Sequence, residues 1–104
     1  MGDVVLAPVT LDKRHPIKAR PVVIVADFGN NSWLACPISR TPPHDAPSIP
    51  LDLQDFEDGG LDIMLESYVL PGTPVSIRAS DVIGKKGRLS QEVIAAIISL
   101  LPGN

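Results

Sequence analysis

Short apolar runs separated by turn-forming residues make up most of this 104-residue chain. The run from Val22 to Ala26 is rich in β-branched residues and too short for an ordinary helix, so it predicts a strand buried on both faces. Pro21 fits the beginning of such a strand and biases Arg20 towards an extended backbone. The pattern therefore places Arg20 at the rim of a rigid sheet, where a guanidinium group is well placed to bind phosphate.

The rest of the pattern predicts further strands joined by turns, in agreement with a composition of eleven prolines and eight glycines. Residues 29–31 favour a hairpin turn, and Pro71-Gly72 marks a second turn or bulge. The acidic segment 52–62 is interpreted as a solvated turn, and no element is predicted over 80–89. The predicted strands are 4–9, 20–27, 32–39, 49–53, 64–70 and 75–79, with polar loops over 10–19 and 41–48.

The end of the chain changes to helical spacing. Ser90 has the chemistry of an N-cap, Glu92 suits the first turn, and Pro102-Gly103 ends the segment. The apolar residues between them cover more than half of the helix circumference. This predicts either a helix sunk in the core of one protomer or a helix between its own sheet and a second protomer. The expected fold is one mainly β domain, residues 1–104, a small bent antiparallel sheet or barrel closed by a C-terminal helix.

Composition narrows the class of partner. The chain has no apolar run of membrane-spanning length and no signal-peptide pattern, so a soluble, cytoplasmic protein without a membrane partner is expected. The formal net charge is −3, yet residues 11–20 hold four cations against one acid, a local balance of +3. Such a focused basic patch can bind a polyanion whatever the overall sign, although a run of cations is also common on solvated loops.

Metal and cysteine chemistry are not indicated. Cys36 is the single cysteine, and its place in an alternating strand before Pro37 favours a small buried hydrophobe over a nucleophile. His15 and His44 fall in separate predicted loops, and no set of His, Cys and carboxylate residues has the spacing of metal ligands. We therefore expect no metal and no cofactor.

Hairpin geometry brings candidate phosphate-binding groups together. Arg20 begins one predicted strand and Ser39 ends the next, so the turn at 29–31 places these ends side by side. Cleavage of RNA without a metal needs a group that takes the 2′-OH proton, cations for the phosphorane charge, and a proton for the leaving oxygen. His15 is the nearby side chain whose type titrates near neutral pH. Arg14, Lys18 and Arg40 can crowd the same edge. From the residues alone, a nuclease site and an ordinary solvated rim both stay open.

Six segments form an ordered set along the chain. They are Gly2-Asp3-Val4-Val5, Ala19-Arg20-Pro21-Val22-Val23-Ile24-Val25, Cys36-Pro37-Ile38-Ser39, Gly60-Leu61, Glu66-Ser67-Tyr68-Val69 and Gly87-Arg88-Leu89-Ser90. This set, which covers nearly the whole chain, resembles the PemK/MazF family of toxins from type II toxin–antitoxin pairs. The resemblance implies an SH3-like, PemK-type barrel that forms a homodimer. It also implies metal-independent, sequence-specific cleavage of single-stranded RNA, blocked by an antitoxin whose acidic disordered tail occupies the groove.

The resemblance also implies residue roles. Arg20 matches the catalytic arginine of the family, and Ser39 matches its catalytic threonine with the hydroxyl kept. His15 is the candidate proton acceptor. A third polar position of the family falls near Thr73. The predicted RNA-binding residues are Lys13, Arg14, Lys18, Arg40 and Thr73. Two functions stay open: an endoribonuclease toxin, and a non-catalytic module on the same fold that binds nucleic acid or an antitoxin peptide.

Overall fold

The strands follow the apolar runs of the sequence. The computed structural model describes residues 1–9, 17–59 and 66–102. One α-helix, α1 (Gln91–Ser99), and two short 3-10 turns (Leu53–Asp55 and Ala79–Asp81) lie in these ranges. The same ranges contain the strands β1 (Asp3–Val9), β2 (Lys18–Gly29), β3 (Ser32–Ser39), β4 (Ile49–Pro50), β5 (Phe56–Gly59), β6 (Tyr68–Val69), β7 (Val75–Arg78) and β8 (Gly84–Leu89).

These strands pair into one curled antiparallel sheet, a half-barrel with a single C-terminal helix. The strand order is β4, β6, β3, β2, β1, β8, β5, and β7 also pairs with β3. β6 and β7 therefore share one edge of β3, β6 near its end and β7 near its start. The segment between them bulges at Pro71 and Gly72, as predicted, and the Leu70 N–H donates to the Pro37 carbonyl at 2.9 Å.

Buried apolar side chains lie on both faces of the sheet. The first cluster lies between the sheet and α1, and it includes Val23, Val25, Cys36, Ile94 and Ile97. The second cluster includes Val5, Ala7, Val22, Ile24 and Ala35. Successive residues of β2 therefore alternate between two cores, which confirms the prediction of a strand buried on both faces. Double burial fixes the backbone of β2 from Val22 to Val25, and Arg20 lies two residues beyond this buried stretch.

The helix begins where the sequence predicts. The Ser90 hydroxyl accepts a hydrogen bond from the Val93 N–H at 3.5 Å, as an N-cap does. Ile94 and Ile97 are buried, whereas Ile98 is 37% and Leu100 43% exposed. The inward face of α1 is thus covered by its own protomer, and the homodimer stays a prediction. No helix in the described part of the chain has the length and apolarity to cross a membrane.

Local sequence signals predict the first half of the fold well. The predicted strands 4–9, 20–27 and 32–39 correspond to β1, β2 and β3. Asn30 and Asn31 adopt positive φ angles of 54° and 61° at the predicted hairpin turn, a backbone region that asparagine tolerates better than most residues. Val75–Arg78 also agrees with its prediction.

In the second half, one prediction is wrong, one strand was missed, and two predicted strands are shorter than expected. The acidic segment was expected to be a solvated turn, yet Phe56–Gly59 is a strand that pairs with β8. β8 itself was not predicted, because its Gly and Lys residues give no apolar alternation; it is held between β1 and β5 by backbone pairing. The structure reduces the strand predicted over 49–53 to Ile49–Pro50. Of the strand predicted over 64–70, only Tyr68–Val69 is a strand within the described residues, and residues 64 and 65 lie outside the described ranges.

Candidate active site

Arg20 lies near the outer end of β2, opposite Ala7 of β1. The following residues, Val22 and Val23, are fully buried, so the backbone that carries Arg20 continues directly into the core. Lys18, two residues earlier, is exposed and projects from the same face of the strand. Two cationic side chains therefore lie at one margin of the sheet, and the inner one is held by a rigid backbone.

Ser39 lies beside Arg20 on the neighbouring strand. Val22 pairs with Pro37 in the β2–β3 ladder, and the same register continued by two residues sets Arg20 opposite Ser39. Side chains opposite each other on antiparallel strands share a face, with Cβ atoms about 4.5–5.5 Å apart. The strand register thus produces the juxtaposition of guanidinium and hydroxyl groups that the hairpin predicts, while their catalytic roles stay predictions.

The Arg20 side chain carries an unusual polar atom. It is half-buried, and its Nε atom is buried without a hydrogen-bond partner among the described residues. Buried donors in folded proteins are nearly always paired, and a charged group left unpaired is costly. An anion would remove this cost only if it accepts a hydrogen bond from the Nε atom itself. The unpaired donor therefore marks this end of the sheet as a place that suits an anionic ligand.

The Ser39 hydroxyl is positioned by the chain that follows it. Its Oγ accepts a hydrogen bond from the Thr41 N–H at 3.2 Å, which occupies one lone pair and leaves the hydroxyl proton able to donate. Arg40, between these two residues, is exposed. Ser39 is thus a fixed hydrogen-bonding group beside Arg20, and Arg40 adds a solvated positive charge next to it.

The structure does not bring all of the other predicted site residues next to Arg20 and Ser39. Lys13, Arg14 and His15 lie outside the described residues. Thr73 is exposed in the bulge between β6 and β7. Within the described residues no hydrogen bond joins Thr73 to Arg20 or Ser39, so its role in RNA binding stays a prediction.

Tyr68 and Glu66 also lie at this margin, although sequence reasoning assigned neither a role. Tyr68 of β6 pairs directly with Ser39 of β3, and its hydroxyl donates to Glu66 Oε2 at 2.9 Å. The Glu66 carboxylate raises the pKa of the Tyr68 hydroxyl because the hydrogen bond favours the protonated form. In the sequence, the only sign of this contact is an acidic residue two positions before the single tyrosine. That spacing does not predict the pairing of β6 with β3.

The other reactive groups do not point to different chemistry. Burial raises the pKa of the Cys36 thiol to about 11, so it stays protonated and inert, as the sequence predicts. No group of three or more His, Cys, Asp and Glu side chains suited to a metal ion occurs in the described ranges. His44 is exposed in the loop after β3.

Comparisons with known proteins agree with the architecture. The family model described as "PemK-like, MazF-like toxin of type II toxin-antitoxin system" matches residues 1–102. Among solved structures, the chain is similar to the Mycobacterium tuberculosis toxin MazF-mt6, with 21% sequence identity and a TM-score of 0.71. That similarity covers 95% of this chain and 91% of the other, and it bears on the fold. No curated protein sequence matches this chain significantly.

Proposed function

Because this chain belongs to the family of PemK-like, MazF-like toxins of type II toxin–antitoxin systems, we propose that it is an endoribonuclease that cleaves single-stranded RNA sequence-specifically and without a metal. One observation supports the proposal most directly: Arg20 has a buried Nε atom without a partner among the described residues, at the end of β2 where the register from Val22 and Pro37, continued by two residues, sets it opposite Ser39. A phosphodiester is an anion of the right size and charge for this pair. RNA adds the internal nucleophile that the reaction needs.

The chemistry is an attack of a ribose 2′-oxygen on the adjacent phosphorus. A bond forms between the 2′-oxygen and phosphorus, and the bond to the 5′-oxygen of the next nucleotide breaks, which leaves a 2′,3′-cyclic phosphate and a free 5′-hydroxyl. Arg20 stabilises the negative charge that develops on the phosphorane oxygens. Ser39 donates a hydrogen bond to the same oxygens. His15 is the candidate that takes the 2′-OH proton, since imidazole titrates in the working pH range. The leaving 5′-oxygen takes its proton from water.

The same margin supports the partners implied by the family. An acidic, disordered antitoxin tail would offer carboxylates to Arg20 and to the cations around it, and so compete with RNA for one groove. A homodimer would add the second copy of this margin. The protein would act in the cytoplasm, where both partners occur. The net charge of −3 favours a second candidate, a non-catalytic module that uses Arg20 and Ser39 only to bind a nucleic acid or the antitoxin.

Incubation with a long unstructured RNA in EDTA tests the proposal. The expected result is a set of discrete cuts that share a sequence and end in 2′,3′-cyclic phosphates, with the rate at least about 10²-fold lower in Arg20→Ala. Arg78→Ala is the control, because Arg78 is also an arginine on a strand, but it is exposed and pairs with Ser32 at the other end of β3. Binding of the RNA without cleavage would support the second candidate. Equal cleavage by wild type and Arg20→Ala would refute the proposed site.

A further inference from the structure

Tyr68 is fixed in place by backbone pairing on both sides. β6 is only two residues long, yet it lies between two strands, and Tyr68 pairs with Ser39 of β3 and with Pro50 of β4. The next residue, Val69, is fully buried in the first core cluster and anchors the opposite face of β6. The tyrosine ring therefore rises from a rigid backbone although the strand is short.

The strand registers set three functional side chains in one row. Ser39 of β3 pairs directly with Tyr68 of β6. The β2–β3 ladder ends at Val22 and Pro37, and its register continued by two residues sets Arg20 opposite Ser39, so the three side chains share a face of the sheet. Each step across the row is about 5 Å between Cβ atoms, which puts Tyr68 about 10 Å from Arg20. A group bound between Arg20 and Ser39 thus has the tyrosine ring as its next neighbour.

The ring is oriented by its hydroxyl and remains partly open to solvent. The hydroxyl donates to Glu66 at 2.9 Å, and Tyr68 is half-buried. Glu66 stands two residues earlier and therefore on the same side of an extended chain. A carboxylate at this point repels phosphate, so the neighbourhood of Tyr68 does not suit a second backbone phosphate. It suits an uncharged planar group with donor edges, because Glu66 retains acceptor capacity beyond the one hydrogen bond.

The other aromatic residues lie elsewhere. The chain has four aromatic side chains in all. Trp33 packs against the second core cluster and Phe56 against the first. Phe28 is 58% exposed, but it lies beside the hairpin turn at the other end of β2. Tyr68 is thus the aromatic residue available at the Arg20 margin.

We propose that Tyr68 is a base-stacking residue: its ring holds the base of a nucleotide whose phosphate is bound by Arg20 and Ser39, and Glu66 positions that ring. The inference rests on the proposed action on single-stranded RNA and deepens it. Bases splayed out of a single strand commonly stack on aromatic side chains, which read every base through its π face. In this row the guanidinium binds the backbone and the ring binds the base, so together they fix which phosphate is presented for cleavage.

The test compares two oligonucleotides that differ only in their bases. One is a single-stranded random-sequence 12-mer, and the other is the same backbone without bases; both carry 2′-fluoro riboses, which cannot act as nucleophiles. Fluorescence anisotropy gives the dissociation constant of each for wild type, Tyr68→Leu, Tyr68→Phe and Arg20→Ala. Phe28→Leu is the matched control for loss of an exposed aromatic ring. Thermal unfolding of each variant reports whether it is folded.

Stacking predicts a specific pattern. The preference of wild type for the base-containing strand should fall in Tyr68→Leu by about 5- to 150-fold, the range that base stacking on one aromatic residue covers. Tyr68→Phe should restore it, and Phe28→Leu should leave it unchanged. Arg20→Ala should weaken binding of both strands alike, because both keep their phosphates.

Two results would overturn the inference, and they are distinguishable. A preference for bases that stays within twofold of wild type in folded Tyr68→Leu, while Arg20→Ala still weakens both strands, refutes the role of Tyr68 and leaves the proposed function standing. Failure of wild type to bind either strand refutes the RNA-directed function together with the inference that rests on it.

Discussion

Replacement of Arg20 by methionine should separate function from stability. Methionine keeps an unbranched apolar stem and removes the guanidinium. In the folded protein the Nε atom of Arg20 is buried and has no partner among the described residues. The substitution therefore removes a group whose burial opposes folding, together with the group proposed to bind the scissile phosphate.

The two effects have opposite signs and different sizes. Leaving a buried polar group unsatisfied costs about 1–3 kcal/mol, so its removal should raise the free energy of unfolding by up to that amount. In a domain of this length, about 1 kcal/mol corresponds to a rise of at least about 4 °C in the midpoint of thermal unfolding. Loss of charge stabilisation at the phosphorane should lower the cleavage rate by about 10²-fold or more. A more stable and less active protein is the expected outcome.

Urea unfolding and RNA cleavage, measured at one protein concentration, check both halves of this prediction. Arg40→Met is the control, since Arg40 is exposed and its replacement should change stability by less than about 0.5 kcal/mol. Wild type should also gain stability from added phosphate or from an uncleavable oligonucleotide, and Arg20→Met should gain much less. Destabilisation of Arg20→Met by more than about 1 kcal/mol would contradict the reasoning, because it would mean that the guanidinium is satisfied and structural.

Further predictions concern the hydroxyl, the basic loop, the helix and one ion pair. Ser39→Thr should preserve or raise cleavage while Ser39→Ala lowers it; equal rates in all three proteins would leave the hydroxyl without a role. A variant that combines Lys13→Ala, Arg14→Ala and Lys18→Ala removes three cations of the first loop. Its slope of log affinity against log salt concentration should be flatter by about two units, since each phosphate contact on a single strand contributes about 0.7. Sedimentation at micromolar concentration should give a molar mass twice that of the chain for wild type, and the mass of a single chain for Leu100→Glu. A monomeric wild type would exclude the dimer. Burial raises the pKa of Asp3, whereas hydrogen bonds from Arg88 and Lys85 lower it. The lowering is larger, so the pKa of Asp3 in the folded protein lies below its ordinary value of 3.8. The stability that Asp3 gains from these contacts should therefore be present above pH about 4 and be lost as the pH falls through the pKa of Asp3 in the folded protein. If the urea midpoint of wild type and that of Asp3→Asn fall equally with acid, the contacts of Asp3 contribute nothing.

The parts of the fold that could be predicted are those with short-range causes. β2 is recognised by its uninterrupted β-branched run, and the hairpin to β3 by asparagines that accept positive φ. The cap at Ser90 is likewise local, since its hydrogen bond to the Val93 N–H spans only four consecutive residues. β8 escaped prediction because Lys85, Lys86 and Gly87 have no preference that favours a strand. Its existence depends on β1 and β5, which are more than twenty residues away in sequence, and such long-range pairing leaves no local pattern.

The residues of the candidate site also differ in whether local sequence or long-range pairing brings them together. The sequence could bring Arg20 and Ser39 to the same end of the sheet because one hairpin connects their strands. It could not set their exact register, since two irregularities in the β2–β3 ladder shift the pairing between the turn and Val22. Tyr68 could not be added in this way. It reaches Ser39 through a two-residue strand at the far edge of β3, after a segment that contains β4 and β5, and only the observed register brings it there. The burial of the Arg20 Nε atom is also a property of the assembled sheet.

This arrangement explains why a small sheet can hold a charged site without losing its core. On β2 and β3 both faces are buried as far as Val22 and Ile38, and the polar row begins within two residues of where that burial ends. Ser39 and Tyr68 are each followed or preceded by a core residue on the opposite face, so the backbone that supports them is rigid while their own side chains reach solvent. Only Arg20 carries a buried donor that its own chain leaves unpaired within the described residues. If the proposed phosphate accepts a hydrogen bond from this Nε atom, the free energy that the unpaired donor costs in the unliganded protein is recovered on binding and adds to the affinity at Arg20.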